Sequence, residues 1–349
     1  MIHMHETDPR FYSDPTFPEN HGSFSVINYG INNALRKLGH YSEIDDAKFV
    51  GYASSLDFDN SYNDKVSFYI TVWETINTLT SYHINKLKNS NKILFGMSDQ
   101  ITNLYLQEGI ECKTLHCGCD TEFWKPTLPK NEKFTFIHVN SSNTRSGLDL
   151  TLQAFDLAFC NNKDVQLIAK DTNQNNPIFR QKISSLVNKG CSIIYISERM
   201  NKSQIRDLYS QSHVGLNLLR MTSWGFPLHE MSACGCYCIT GDIEPTNVLL
   251  NKSFSTLIKP SKEVNISNIL GNLINDWGLL NCYGGFAYPV EPTFYDFDIE
   301  EYANAMKHIY DNWESHYQNI DTISPIKNNW KWEYTAKNLI KELQCTSGP

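Results

Sequence analysis

Four side chains of this sequence have the type and setting for chemistry on an anionic ligand: Glu74, Arg145, Lys170 and Glu230. Glu230 lies in Thr222-Ser-Trp-Gly-Phe-Pro-Leu-His-Glu-Met-Ser-Ala-Cys-Gly235, a tight Gly-Pro turn feeding a helix predicted over 226–234, with Cys234-Gly235 as its stop. A helix N-terminus exposes unpaired N–H groups and a partial positive charge, so this turn suits an anion such as phosphate. Arg145 sits in the polar loop Asn140-Ser-Ser-Asn-Thr-Arg-Ser-Gly147, between a strand read over 134–139 and an amphipathic helix over 148–159. Its planar guanidinium suits multidentate phosphate binding. Lys170 closes the strand Val165-Gln-Leu-Ile-Ala-Lys170, and because both strand ends are expected to open on one crevice it adds a second cation there. Glu74 stands just beyond a strand read over 66–73, at the rim where ligands of parallel sheets collect; a carboxylate at a helix start is also favoured by the dipole.

The elements that must hold these groups alternate. After the 226–234 helix, Cys236-Tyr-Cys-Ile-Thr240 is β-prone and Gly241-Asp-Ile-Glu-Pro245 turns the chain, the rhythm of a parallel α/β sheet. Further strands are read over 93–97, 191–196 and 214–219. The chain opens with a short β-like run and an aromatic, proline-rich loop ending at His21-Gly22-Ser23. A helix then runs over 25–38, with Ile27, Ile31, Ala34, Leu35 and Leu38 on one stripe. Pro126, Pro129 and Lys130-Asn-Glu-Lys133 have linker composition. From about residue 266 the chain reads as helices, the last over 329–343. The expected architecture is α/β with two domains, over 1–127 and 132–325, and a terminal helix over 328–345.

Composition sets bounds. A chain of 349 residues with 41% hydrophobic and 19% charged residues can bury a core in each of two globular domains. No apolar run reaches the roughly 18 to 20 residues of a membrane helix, and the first residues do not read as a signal peptide, so a cytoplasmic location is expected. Half of the ten cysteines lie in Cys-x-Cys alternation (Cys117 and Cys119; Cys234, Cys236 and Cys238), which places neighbours on one strand face and reads as structural thiols rather than zinc ligands. A net charge of −8 argues against a surface that embraces nucleic acid as a whole. Two Asp-x-Asp triplets, at Asp57 and Asp59 and at Asp296 and Asp298, lie in polar stretches that read as solvated loops, and no metal site is expected.

The 222–235 run resembles the Glu-Gly-Phe-Gly-Leu-Pro-x-x-Glu-Ala-Met-Ala-Cys-Gly signature of the family 4 (group 1) retaining glycosyltransferases, which have the GT-B fold. Gly225, Pro227, Glu230, Ala233, Cys234 and Gly235 fall on that pattern, while the first glutamate is Thr222 here. The segment Cys117-Gly118-Cys-Asp120, followed by Trp124 and Pro126, is similar to the phrase that closes the family's first domain, and Arg145 and Gly147 match its Arg-Lys-Gly phrase with Ser146 for the lysine.

The resemblance implies two Rossmann-like domains facing each other across a cleft, with the terminal helix crossing back to the first. It implies transfer of a sugar, with retention of configuration and without a metal or other cofactor, from a nucleotide diphosphate sugar to a hydroxyl. A UDP-sugar is the first expectation and a GDP-sugar the second. Glu230 would then hold the ribose and Ser197, Glu198, Arg199 and Met200 the base. Gly22 and Ser23 would face the phosphates, and the backbone of Trp224, Gly225 and Phe226 beside Thr222 and Pro227 would hold the sugar. Arg145, Lys170 and Glu74 are the candidate catalytic groups. The acceptor is a glycan or small molecule or, alternatively, modified DNA met by Lys86, Lys88 and Lys92 on a predicted helix. A weakened nucleotide-sugar-binding module, an epimerase and a phosphorylase are the other readings. Oligomeric state is left open.

Overall fold

The computed structural model describes residues 1–5, 23–54, 65–73, 75–141, 144–172, 176–250, 254–265, 290–315 and 330–345. A first, wholly parallel sheet has the order β1-β2-β3-β4-β5. Its strands are β1 (Ile2–Met4), β2 (Phe49–Ser54), β3 (Phe68–Thr71), β4 (Ile93–Gly96) and β5 (Lys113–Thr114). Between them run α1 (Ser23–Lys37), α2 (Ser81–Lys88) and α3 (Asp99–Gln107). The apolar stripe of α1 behaves as its spacing predicts, with Ile27, Ile31, Ala34 and Leu35 buried against this sheet. Helices α2 and α3 are each capped by a hydroxyl: Thr80 accepts from the His83 N–H, and Ser98 from the Ile101 N–H.

The second sheet is also parallel, in the order β11-β10-β9-β6-β7-β8. It comprises β6 (Phe134–Asn140), β7 (Val165–Asp171), β8 (Ile193–Ile196), β9 (Val214–Asn217), β10 (Tyr237–Gly241) and β11 (Ser255–Ile258). Helices α4 (Leu148–Phe159), α5 (Pro177–Lys189), α6 (Lys202–Gln211), α7 (Phe226–Ala233) and the single turn α8 (Thr246–Leu249) connect them. Strand β6 is buried over six of its seven residues because it is central and covered on both faces, and even its polar Thr135 and His138 are buried. The chain leaves β6 towards β7 and β8, then returns to place β9 on the other side of β6. That reversal between β6 and β9 is a topological switch point, where open α/β sheets leave a crevice at the carboxyl ends of their strands.

The stretch beyond 266 departs from its all-helical reading at Thr293–Asp296, which is a strand. An antiparallel hairpin of β12 (Lys262–Asn265) and β13 (Thr293–Asp296) precedes α9 (Ile299–Asp311) and the last helix α10 (Trp332–Cys345). Asp296 is therefore a strand residue and Asp298 is the α9 cap, accepting from the Glu301 N–H at 3.0 Å. Asp296 thus does not lie in a solvated loop, whereas Asp298 is exposed in the short connection into α9. Asp57 and Asp59 lie outside the described residues.

Helix α10 packs on α1, across the chain from its neighbours in sequence. A β-carbon on Gly30 would fall 2.3 Å from the Trp332 ring, and one on Gly118 would fall 2.3 Å from the Trp332 backbone nitrogen, so both positions need glycine for this approach. The Cys119 N–H donates to the Trp330 carbonyl at 2.8 Å and the Thr335 hydroxyl to the His116 carbonyl at 2.9 Å, fastening the last helix to the first lobe.

Candidate active site

The site is assembled where the loops after β6 and β9 flank the switch point. The signature loop is held by contacts on three sides. The Arg220 N–H donates to the Arg145 carbonyl at 2.9 Å, and Arg145 returns a guanidinium hydrogen bond to the Met221 carbonyl at 3.0 Å. The Arg220 side chain, only 5% exposed, donates from both terminal nitrogens to the two carboxylate oxygens of Asp149 at 2.8 Å each, with Asp296 a further 3.5 Å neighbour. A buried guanidinium needs such partners, and the planar fork satisfies two donors at once. The Ser223 hydroxyl donates to the Trp73 carbonyl at 2.7 Å, tying the signature loop to the end of β3 in the opposite lobe.

Gly147 and Gly225 take left-handed φ values of 73° and 85° and cap α4 and α7. Gly147 has a second constraint, since a β-carbon there would meet the Leu218 carbonyl oxygen at 2.0 Å. The Arg145 loop and the signature loop are thus in backbone contact at two places. Helix α7 begins at Phe226 with Pro227 in its first turn, and stops at Cys234 with Gly235 at φ 81°, as the sequence predicts. Glu230 is half-buried one turn into it, 3.4 Å from the Tyr209 hydroxyl, which donates to it. Its charge is felt nearby: the Cys119 thiol is pushed up first by burial and then by Glu230.

The remaining candidates divide by position. Lys170 is the penultimate residue of β7, in register with Val139 of β6, but its side chain is buried and its ammonium donates to the Asp171 carbonyl at 2.9 Å. It is an interior cation rather than a group on the open rim. Thr222 and Trp224 are buried, while Phe226 and Pro227 are half-buried. Ser197 to Met200 form the exposed to half-buried loop between β8 and α6, with Glu198 and Arg199 outward. Ser23 is the first residue of α1. Gly22 and Glu74 lie outside the described residues, though Trp73, the neighbour of Glu74, holds the Ser223 hydroxyl. The three-lysine helix face is corrected: α2 ends at Lys88, and Lys92 turns in to donate to the Val66 carbonyl at 2.6 Å.

Sequence reading missed the groups that join the two lobes. Trp224 stacks on His116 of the first lobe and meets Trp330 edge-on at 5.5 Å between centroids. Glu244, in the loop after β10, accepts from the Gln100 N–H at 3.0 Å, so a carboxylate of one lobe sits at the N-terminal turn of α3 in the other. Ligand atoms of Asp99, His116 and Glu244 all lie within 4.8 Å of one another at this junction. Burial pushes the Glu244 carboxyl up and holds the His116 imidazole down. Beneath Trp224, His229 is fully buried with neither ring nitrogen hydrogen-bonded, and burial lowers its pKa to about 3.

The chain matches no protein-family model and no curated protein sequence. Solved structures share its fold. The pneumococcal O-GlcNAc transferase GtfA, solved with UDP and GlcNAc, gives a TM-score of 0.59 at 11% identity, covering 93% of this chain and 61% of that one. This chain therefore spans about three fifths of the length of GtfA. HepE from Anabaena, solved with UDP-glucose, gives 0.56 at 12% identity over 82% of this chain and 74% of that one. Sucrose-phosphate synthase from Thermosynechococcus elongatus gives 0.53 at 14% identity over 99% and 88%. The fold is GT-B: two Rossmann-like lobes face each other across a cleft and the last helix crosses back to the first.

Proposed function

We propose that this protein is a metal-independent glycosyltransferase that moves a sugar from a UDP-sugar to a hydroxyl acceptor with retention of configuration. The observation that carries the reading is the mutual lacing of Arg145 and the 220–225 loop at the switch point of the second sheet. It holds the Arg145 guanidinium on the Met221 carbonyl of the loop that leads into α7, whose N-terminal amides and dipole would add positive potential for a departing diphosphate. Glu230, one turn on, is assigned to the ribose hydroxyls, and the 197–200 loop to the base. The UDP and UDP-glucose in the GtfA and HepE structures support a uridine donor.

In this reading Arg145 and the α7 terminus stabilise the leaving diphosphate, and Lys170 contributes its charge from beneath rather than by direct contact. Gly22 and Ser23 are assigned to the donor phosphates and Glu74 to catalysis. Thr222 replaces a carboxylate that would read the sugar, so the backbone of 224–226 carries that contact. The first domain is assigned to 1–127 with the helix at 328–345, and the second to 132–325. Among the described residues no helix is long and apolar enough to cross a membrane.

A thermal-shift screen of nucleotide sugars tests the proposal. UDP-glucose or another UDP-sugar is expected to raise the melting temperature, since a ligand held only by the folded state stabilises it. Glu230→Ala and Arg145→Ala should each erase that rise. A rise that survives both substitutions overturns the site. Slow release of free sugar from the donor separates an enzyme from a binding module.

A further inference from the structure

We propose that Cys160 and Cys191 form a redox modification site, a dithiol that a low-molecular-weight disulfide such as oxidised glutathione converts into an intrachain disulfide. Their sulfurs lie 2.8 Å apart. A disulfide bond is about 2.05 Å long, so bond formation requires an approach of less than about 1 Å.

The backbone, not the thiols, sets this approach. Cys160 caps the C-terminus of α4, and Asn161 follows it in a left-handed turn at φ 68°. Gly190 ends α5 at φ 108°, directly before Cys191. The two turns are joined by the Asn161 N–H donating to the Gly190 carbonyl at 3.3 Å. A β-carbon on Gly190 would come within 2.3 Å of the Asn161 side-chain oxygen. Two helix ends are thus abutted, and each presents a cysteine to the other.

The surroundings differentiate the two sulfurs. Cys160 is partly exposed, whereas Cys191 is buried and its thiol is pushed up, chiefly by burial. Lys189 pairs with both Asp156 carboxylate oxygens at 2.6 and 2.8 Å, and the Cys191 thiol points to Asp156 at 3.6 Å. Cys160 is therefore the sulfur that reacts first: its thiolate attacks one sulfur of oxidised glutathione, forming a mixed disulfide and expelling one glutathione thiolate, which takes up a proton. Cys191 then loses its proton to solvent and attacks the Cys160 sulfur, forming the Cys160–Cys191 bond and releasing the second glutathione. Two protein thiols are oxidised and one glutathione disulfide is reduced to two thiols. The pair sits at the C-terminus of α4 and just before β8, at the opposite end of these strands from the Arg145 loop and the 197–200 loop, so it staples the base of the second lobe.

The test is to equilibrate a Cys345→Ser variant, which lacks the exposed C-terminal thiol, with oxidised glutathione, block residual thiols and map peptides by mass. The expected result is a Cys160–Cys191 cross-link, 2 mass units lighter than the two peptides, reversed by dithiothreitol. A melting temperature raised by several degrees, absent in Cys160→Ser, should accompany it, as for a cross-link across a closed loop. A stable glutathione adduct on Cys160 without the cross-link overturns the proposal. So does stoichiometric Zn²⁺ binding that Cys160→Ser abolishes while no disulfide forms.

Discussion

The indole of Trp224 stacks on the imidazole of His116 with centroids 5.2 Å apart and ring planes 23° from parallel. The first ring belongs to the signature loop and the second to the end of the first lobe, so this pair is a contact across the cleft. Trp224→Ala is expected to cost about 3–5 kcal/mol, the usual loss for a fully buried aromatic. Trp224→Phe should keep much of it. Urea unfolding measures the loss, and a radius of gyration larger in Trp224→Ala than in the native protein would show the lobes parting.

The Arg220 and Asp149 pair is buried enough that removing one partner leaves a stranded charge. Arg220→Ala should therefore destabilise by about 3 kcal/mol or more. The double variant with Asp149→Ala should recover part of that loss. Failure of the double variant to recover any stability would show that Arg220 acts through packing alone.

Gly147→Ala forces a side chain into φ 73° and into the Leu218 carbonyl. The left-handed conformation alone costs roughly 1–2 kcal/mol. Because the same residue spaces the Arg145 loop from the signature loop, donor-induced stabilisation should fall more steeply than stability itself. Gly225→Ala, with its nearest neighbour 3.7 Å away, should show the conformational cost without the clash.

Acid should unfold the protein earlier than its carboxylates require. Burial lowers His138 and His213 to about 4 and His229 to about 3, against about 6.5 in the unfolded chain. A depressed histidine contributes stability that is complete above the unfolded value and is lost as pH falls towards the folded one. Between about pH 6 and 4 each such group adds up to about 1.4 kcal/mol of loss per pH unit. His229→Leu removes one proton from that slope, and because both ring nitrogens lack hydrogen bonds it should not lower stability at pH 8. An unchanged slope in denaturant titrations from pH 7 to 5 would refute the assignment.

Local pattern made much of this legible. The strand, loop and helix around Arg145 and the turn, helix and stop of 222–235 follow from residue types a few positions apart, and the structure reproduces them within one or two residues. What depends on register between distant segments was not legible. Nothing near Lys170 says that its ammonium will turn to the Asp171 carbonyl, and nothing near Asp296 says that it will enter a hairpin beside Arg220. The switch point needed the strand order, which places β9 next to β6 although 73 residues separate Asn140 from Val214 as their nearest ends. The lobe contacts, Trp224 with His116 and Glu244 with Gln100, join segments that no helical or strand period connects.

Helix α10 also governs when the first lobe can mature during synthesis. Gly30 and Gly118 are shaped to receive Trp332, whose codon is read long after theirs, so the nascent N-terminal half leaves the ribosome with an unfilled seat. At about 5–20 residues per second that seat stays open for roughly 10 to 40 s, an interval in which a chaperone has an apolar surface to bind and a premature stop yields a half that cannot close.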